Sequence, residues 1–128
     1  AKACDEILAV RIPAAGARLR RIVHLAQTVQ SHALSFFYLS SPDLLLGMDA
    51  EPARRNVLGV AAEYPELARG GIRLRQFGQQ VIESLSGDRV HPHGIVPGGM
   101  LQPLDAAQRD AILARIPEAV AFVERTLE

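Results

Sequence analysis

Thiol chemistry is almost missing from this sequence. Cys4 is its single cysteine, which excludes an internal disulfide, a Cys-x-x-Cys redox pair and a thiolate metal cage built within the chain. The composition fits a reducing compartment. Net charge is missing too, because 14 Lys and Arg balance 14 Asp and Glu. No global field draws the chain to nucleic acid or anionic lipid, so partners must be recognised locally. No apolar run approaches the roughly 18 to 20 residues that span a bilayer. The opening Ala1-Lys2-Ala3-Cys4-Asp5-Glu6 lacks the charged-then-apolar layout of a signal peptide. A soluble protein without membrane or nucleic-acid partners is therefore expected. Sustained period-two alternation and internal repeats are also lacking, which argues against a sheet-based or solenoid fold.

What is present is helical periodicity. With 128 residues and 48% hydrophobic content, the chain can bury one core, and the linkers are too short to divide it. Residues 1–128 are expected to form a single helical domain. It lacks an initiating Met and opens directly into helix-favouring residues, so it reads as an excerpt of a longer protein. A first helix is expected from Ala1 to Val10, ending before Pro13. A second should run from Pro13 to about Leu39, roughly 39 Å at 1.5 Å per residue. Its stripe is Leu19, Val23, Ala26, Ala33 and Phe37, widened by Ile22, Leu25, Val29 and Phe36. Ser41-Pro42-Asp43 is expected to break it. A third helix should hold Glu51 and Pro52 in its first turn and end at Glu63. A fourth, from Pro65 to Gly87, carries the seam Leu67, Gly71, Leu74, Gly78, Val81 and Leu85, whose glycines admit close packing. Asp105 and Gln108 form a capping box for the last helix, which Pro117 should kink or restart. The pattern predicts an all-α fold: an antiparallel bundle of five or six helices with one ordered loop.

That loop, Val90 to Met100, holds most of the candidate functional residues. Pro92 and Pro97 fix φ and remove donors, whereas Gly94, Gly98 and Gly99 allow conformations that a Cβ forbids. His91 and His93 could ligate metal or carry protons, but a His-x-His pair without a third ligand is a weak metal signal. A loop-stabilising or interface role is the simpler reading. Gly98-Gly99 could cradle an anion on backbone donors, although the phosphate-loop pattern is absent and a tight turn explains the pair as well.

Elsewhere, His24, Thr28, Ser31 and Ser35 share a polar stripe on the long helix, with His32 at another angle. Such uncharged groups serve either a protein contact or buried hydrogen bonding. Arg18, Arg20 and Arg21 diverge around the helix and read as a solvated face or local ion pairs. Asp5 and Glu6 diverge likewise and are no catalytic pair. Ser31-His32 is no triad fragment. A small histidine-dependent metal protein would need a further ligand folded near His91 and His93.

Gln30-Ser31-His32, Phe36-Phe37-Tyr38-Leu39, Pro42-Asp43, Gly47-Met48-Asp49 and Arg55-Asn56-Val57-Leu58-Gly59 occur in that order. With Leu74-Arg75-Gln76-Phe77-Gly78-Gln79-Gln80-Val81-Ile82, His91-Pro92 and Pro97-Gly98-Gly99, they resemble the middle of the nickel-iron hydrogenase large subunit. The wording is similar to its soluble, cofactor-coupled cytoplasmic branch. The resemblance implies hydrogen splitting or formation at a nickel-iron centre, a small iron-sulfur subunit, and further electron-accepting subunits. It also implies that the centre lies outside this chain, because the family's two Cys-x-x-Cys pairs, its N-terminal glutamate and its C-terminal histidine are not here. Cys4 is then a helix residue and no ligand, so no catalytic or metal residue and no cofactor is assigned to these residues.

The His91 to Gly99 loop resembles a family segment facing the small subunit. His91 first, then His93, with Gly98, Gly99 and His32, are therefore expected beside a cluster or at a subunit contact. Apolar patches near Phe36, Phe37, Leu44, Leu45 and Leu46, with self-association, are expected of an excerpt. A free-standing helical interaction module with no enzymatic activity is the alternative.

Overall fold

The structure is a computed structural model that describes residues 1–127. Its elements are α1 (Lys2–Ile7), α2 (Ala14–Leu34), a π-helical turn (Ser35–Ser40), α3 (Ser41–Leu46), α4 (Val57–Glu63), α5 (Pro65–Ser86), strands β1 (Ile95–Val96) and β2 (Gly99–Met100), and α6 (Ala106–Leu127). The all-α expectation holds, with a two-residue hairpin inside the ordered loop as its only sheet among the described residues. No helix of the described residues is long and apolar enough to cross a membrane.

Helix α5 is the centre of the bundle. Its apolar side buries Gly71, Leu74, Gly78, Val81 and Leu85 of the seam read from the sequence, with Ile82 beside them, while Leu67 at the start of the seam is half-buried. Gly78 lies so close to α2 that an added Cβ would stand 2.8 Å from the Ala26 carbonyl oxygen. Gly71 gives the same room to Phe37. Residues late in α5 thus meet residues early in α2, and the two helices run antiparallel. Val23, Ala26, Val81, Ile82 and Leu85 form one buried cluster, onto which Ile95 and Met100 of the hairpin pack. Ala33, Phe37 and Leu74 form the other.

Helix α6 closes one flank, antiparallel to α5. Phe122 fills the space left by the missing Cβ of Gly70, and the Arg115 guanidinium lies 5.2 Å from the Phe77 ring centroid. Its first turn is capped as expected: Gln108 N–H donates to Asp105 Oδ1 at 2.7 Å, while Asp105 N–H donates to Gln108 Oε1 at 3.3 Å.

Four boundaries differ from expectation. Helix α1 ends at Ile7 rather than Val10. Ser41-Pro42-Asp43 does not break the second helix, because the π-helical turn carries the chain straight into α3. Ser41 N–H reaches back five residues to the Phe36 carbonyl, and the Ser41 hydroxyl donates to the Phe37 carbonyl at 2.7 Å. The widened turn satisfies these acceptors next to Pro42, which brings no N–H of its own. Helix α4 starts at Val57, where the Asn56 side chain accepts from Leu58 and Gly59 N–H. A side-chain cap with two bonds outweighs the favourable placement of Glu51 and Pro52. Pro117 does not restart α6, which runs through it as one helix; at an exposed position the lost bond falls on the open side of the helix.

The expected apolar patch is present in part. Phe36 and Leu44 are exposed, at 38% and 62%, but Phe37 is buried and Leu45 and Leu46 are half-buried.

Replacing Gly78 with Val should lower stability by about 3 kcal/mol in chemical denaturation, since α2 must move outward to admit the branched side chain. Ile72→Val, at an exposed position of the same helix, should cost less than about 1 kcal/mol.

Candidate functional site: an arginine-clamped histidine loop

The loop begins where α5 stops. Gly87 takes the left-handed conformation, φ +83°, that ends a helix without a Cβ penalty. Asp88 follows, and its Oδ1 accepts from the backbone N–H of Val90 at 2.8 Å and of His91 at 3.3 Å. Those bonds, the Val90 one first, hold the Asp88 carboxyl below the ordinary aspartate range. The chain then folds back on the helix end: Gly94 N–H donates to the Ser86 carbonyl at 3.0 Å, and the Gly94 carbonyl accepts from Leu101 N–H at 2.9 Å. A Cβ on Gly94 would stand 2.6 Å from Ser86 Cα, so this approach requires glycine. The Ser86 hydroxyl is itself satisfied by the Ile82 carbonyl at 2.6 Å.

Beyond Gly94 the strands pair with Ile95 opposite Met100 and Val96 opposite Gly99. Pro97 and Gly98 are left as a two-residue connection. Proline first and a glycine at φ +86° second is the φ pattern of a type II turn. The tight-turn reading of Gly98-Gly99 is therefore the observed one. Type II turns splay paired strands, which fits a hairpin only two residues deep.

What fixes this hairpin to the bundle is Arg20 of α2. Its Nη2 donates to the Val96 carbonyl at 2.5 Å and its Nε to the Gly99 carbonyl at 3.1 Å. The same guanidinium forks onto Asp5 of α1, with Nη1 to Oδ2 at 2.5 Å and Nη2 to Oδ1 at 3.3 Å. Asp5 closes the ring by accepting from Gly98 N–H at 2.8 Å. The anion received by the glycine turn is thus a side chain of the same protein. Gly16, one turn before Arg20, lies beside Gly99 of β2, where an added Cβ would stand 3.4 Å from the Gly99 Cα. Of the Arg20–Asp5 pair, Asp5 is buried and Arg20 half-buried, with side chains only 7% and 10% exposed. Buried charges persist only when paired and hydrogen-bonded, and here every charged oxygen and three guanidinium nitrogens have partners. The Arg20 bond, then the Gly98 N–H, lowers the Asp5 pKa, and Asp5 in turn raises that of Arg20.

Among the expected site residues, Gly98 and Gly99 sit at the Arg20–Asp5 clamp, and His93 sits at the other end of the loop. The His93 ring lies over Gly87, where a Cβ would come within 2.8 Å of Nε2. His91 is exposed; its backbone N–H is held by Asp88, and its ring has no hydrogen-bond partner among the described residues. His32 is not part of the site: it is exposed on α2, with Nδ1 2.8 Å from the Thr28 carbonyl. The polar stripe of α2 is likewise a surface feature and not a buried network, with His24, Ser31 and Ser35 exposed and the Thr28 hydroxyl turned onto the His24 carbonyl. Among the described residues no three His, Cys, Asp or Glu converge as metal ligands.

Sequence reasoning misses Asp5 and Arg20. Grouping Arg20 with Arg18 and Arg21 as solvated overlooks the face it shares with Gly16 and Val23, one turn away on either side. A cation on a face with a glycine and a buried valine is a usable signal. Asp5 offers none, because its partners stand 15 and 93 positions away.

No family model matches the chain. It is similar to the vhu F420-non-reducing hydrogenase subunit of Methanocaldococcus jannaschii, 37% identical over 127 residues, 99% of this chain and 30% of that protein. It is also similar to the NAD-reducing hydrogenase HoxS subunit beta of Cupriavidus necator, 40% identical over 119 residues, 88% of this chain and 24% of that one. An F420-non-reducing hydrogenase iron-sulfur subunit of Archaeoglobus profundus is 28% identical over 99% of this chain and 26% of its own length. A solved structure of an NAD+-reducing [NiFe]-hydrogenase in the H2-reduced state matches 98% of this chain and 28% of its own, with TM-score 0.94 and 48% identity. The chain is hydrogenase-related and spans less than a third of the length of these relatives.

These names correct the expectation of a large subunit. None of the three relatives is called one, and the third is called an iron-sulfur subunit. The motifs of the resemblance are local words along the helices, and they track hydrogenase kinship without fixing which subunit carries them.

Asp5→Asn keeps the side-chain volume and removes the charge that balances Arg20. Its Tm should fall by roughly 10 °C at pH 7. Because the folded pKa of Asp5 lies below the unfolded value of about 3.9, the carboxylate's contribution is complete above that pH and is lost as pH falls through the folded pKa. The gap between wild type and variant should be equal at pH 7 and pH 5 and close in stronger acid. A gap independent of pH would mean that packing, not charge, holds the loop.

Proposed function

We propose that these residues form a helical scaffold segment of a hydrogenase subunit, in an assembly that couples hydrogen turnover to a soluble electron acceptor. The clamped loop faces a neighbouring electron-transferring subunit, in a cytoplasmic setting. The observation that supports this reading is the backbone match over nearly the whole chain, at 48% identity, with an NAD+-reducing [NiFe]-hydrogenase.

The residues do not fit a nickel-iron centre. Nickel and iron of that kind favour soft thiolates, and Cys4 is the lone thiol, exposed on α1. Among the described residues no third His, Cys, Asp or Glu converges on His91 and His93. The role of the chain is therefore positional. Arg20 and Asp5 fix the backbone of Val96 to Gly99, and Asp88 fixes that of Val90 and His91, so an exposed imidazole is presented from a loop anchored on both sides. An imidazole held this way can donate a hydrogen bond to a partner's acceptor or relay a proton.

A tagged chain purified from its own cells should bring hydrogenase subunits with it, together with hydrogen-dependent dye reduction. Recovery without any redox polypeptide would overturn the reading in favour of a free-standing helical module. The purified chain by itself should neither consume nor evolve hydrogen and should hold far less than one nickel per chain after chelator washing.

In the assembled enzyme, His91→Ala should leave nickel content and Tm unchanged while slowing acceptor reduction or shifting its pH profile. Unchanged turnover at every pH would reduce His91 to a surface residue.

A further inference from the structure

Helix α5 turns three flanks to its surroundings. It meets α6 through Gly70, Arg73 and Phe77, which stand against Phe122, Glu118 and Arg115. It meets α2 through Gly78, and the π-helical turn after α2 through Gly71. At about 100° per residue, Arg75 comes about 40° beyond Gly71, on the side away from α6. It therefore belongs to a third flank, with Gln79 one turn further along.

Arg75 is half-buried, and its Nε is withdrawn from the surface with no hydrogen-bond partner among the described residues. No other arginine is left this way. Seven pair with carboxylates. Arg115 lies over the Phe77 ring and donates to the Gln80 side chain, while Arg11, Arg18, Arg21 and Arg125 are exposed to water. An unmet donor on a charged group costs more than one on a neutral group, and withdrawn charges are ordinarily paired. Gln79, half-buried on the same flank, brings an amide and no charge.

The missing acceptor has a definable chemistry. A carboxylate set side-on to a guanidinium accepts from Nε–H and from one terminal N–H together, and it balances the charge. A carbonyl or a water does neither. The terminal nitrogens of Arg75 are not withdrawn as Nε is, so the guanidinium opens outward and a small turn of the side chain presents both donors. The Arg20–Asp5 clamp is the same chemistry satisfied from within the chain.

We propose that Arg75 is the receiving half of an ion pair whose acid is an Asp or Glu side chain of polypeptide outside these residues, seated on the third flank of α5. The pair concerns Arg75 alone and holds or fails independently of the hydrogenase reading.

The test uses the protein as recovered from its own cells, carrying Arg75→Lys. Carbodiimide joins an amine to a carboxylate in contact with it, so an amide should form at position 75. Peptide mass spectrometry should identify its partner as an Asp or Glu outside the 128 residues. An acid on another subunit makes the pair an interface contact, and one on the same polypeptide makes it an internal tie; either result supports the proposal. A link to an acid within these residues overturns it, and so does a position 75 that stays unlinked. Arg75→Met provides a second measurement should the lysine variant fail to fold. It should lower the Tm of the recovered protein by roughly 5 °C and leave that of the 128-residue chain alone unchanged or higher, since there no partner is lost. Equal losses in both would assign Arg75 to the packing of this segment and overturn the proposal.

Discussion

Everything in this protein leans on the contact between α2 and α5. Two helices can approach this closely only where side chains are withdrawn, and Gly78 and Gly71 withdraw theirs opposite Ala26 and Phe37. The approach brings Val23 onto Val81 and Ile82 and closes the larger core cluster. It also fixes the start of α2 beside the end of α5. The first delivers Arg20 and the second delivers Gly87 and the loop that follows, so loop and clamp meet because the helices do. A seam of small residues, which carries no chemistry, sets the geometry of the part that does.

The clamp converts a short hairpin of little intrinsic stability into a fixed element. Two-residue strands cannot hold themselves in water. Here the strand carbonyls of Val96 and Gly99 and the turn N–H of Gly98 are taken up by one ion pair that is itself largely withdrawn from water. Charge supplies direction, and the burial of Ile95 and Met100 against the core supplies adhesion. An apolar contact alone would allow the hairpin to slide. The forked guanidinium accepts one register.

Much of the fold is legible because it is written at short range. The α5 seam, the capping box at Asp105 and Gln108 and the glycine stop at Gly87 are each set by residues within a few positions, and each is found where the spacing places it. The end of α2, the start of α4 and the course of α6 through Pro117 escape such reading for a common reason. Proline and acidic first-turn residues state a preference, and a π-helical turn, an asparagine cap and an open helix face each overrule one. The site divides along the same line. The constrained loop can be recognised from its prolines and glycines, but its anchor cannot, because Asp5, Arg20 and Gly98 are joined only by the folded chain.

The π-helical turn from Ser35 to Ser40 has a consequence for how this helix tolerates change. A π turn holds one residue more than the α-helical path it replaces. Everything after it is thereby advanced by a single step, about 100° around the helix axis. Phe37, Ser41 and Pro42 are all buried; in one continuous α-helical phase Ser41 would stay near the Phe37 face, but Pro42 would lie about 140° round the axis from Phe37. The extra residue acts as a phase shifter between two stretches of helix with different orientations to satisfy. Shortening this stretch by one position should make a more regular helix and leave α3 and its buried serine facing the core, whereas drawing the same residues into a continuous α-helix would turn α3 by about 100°.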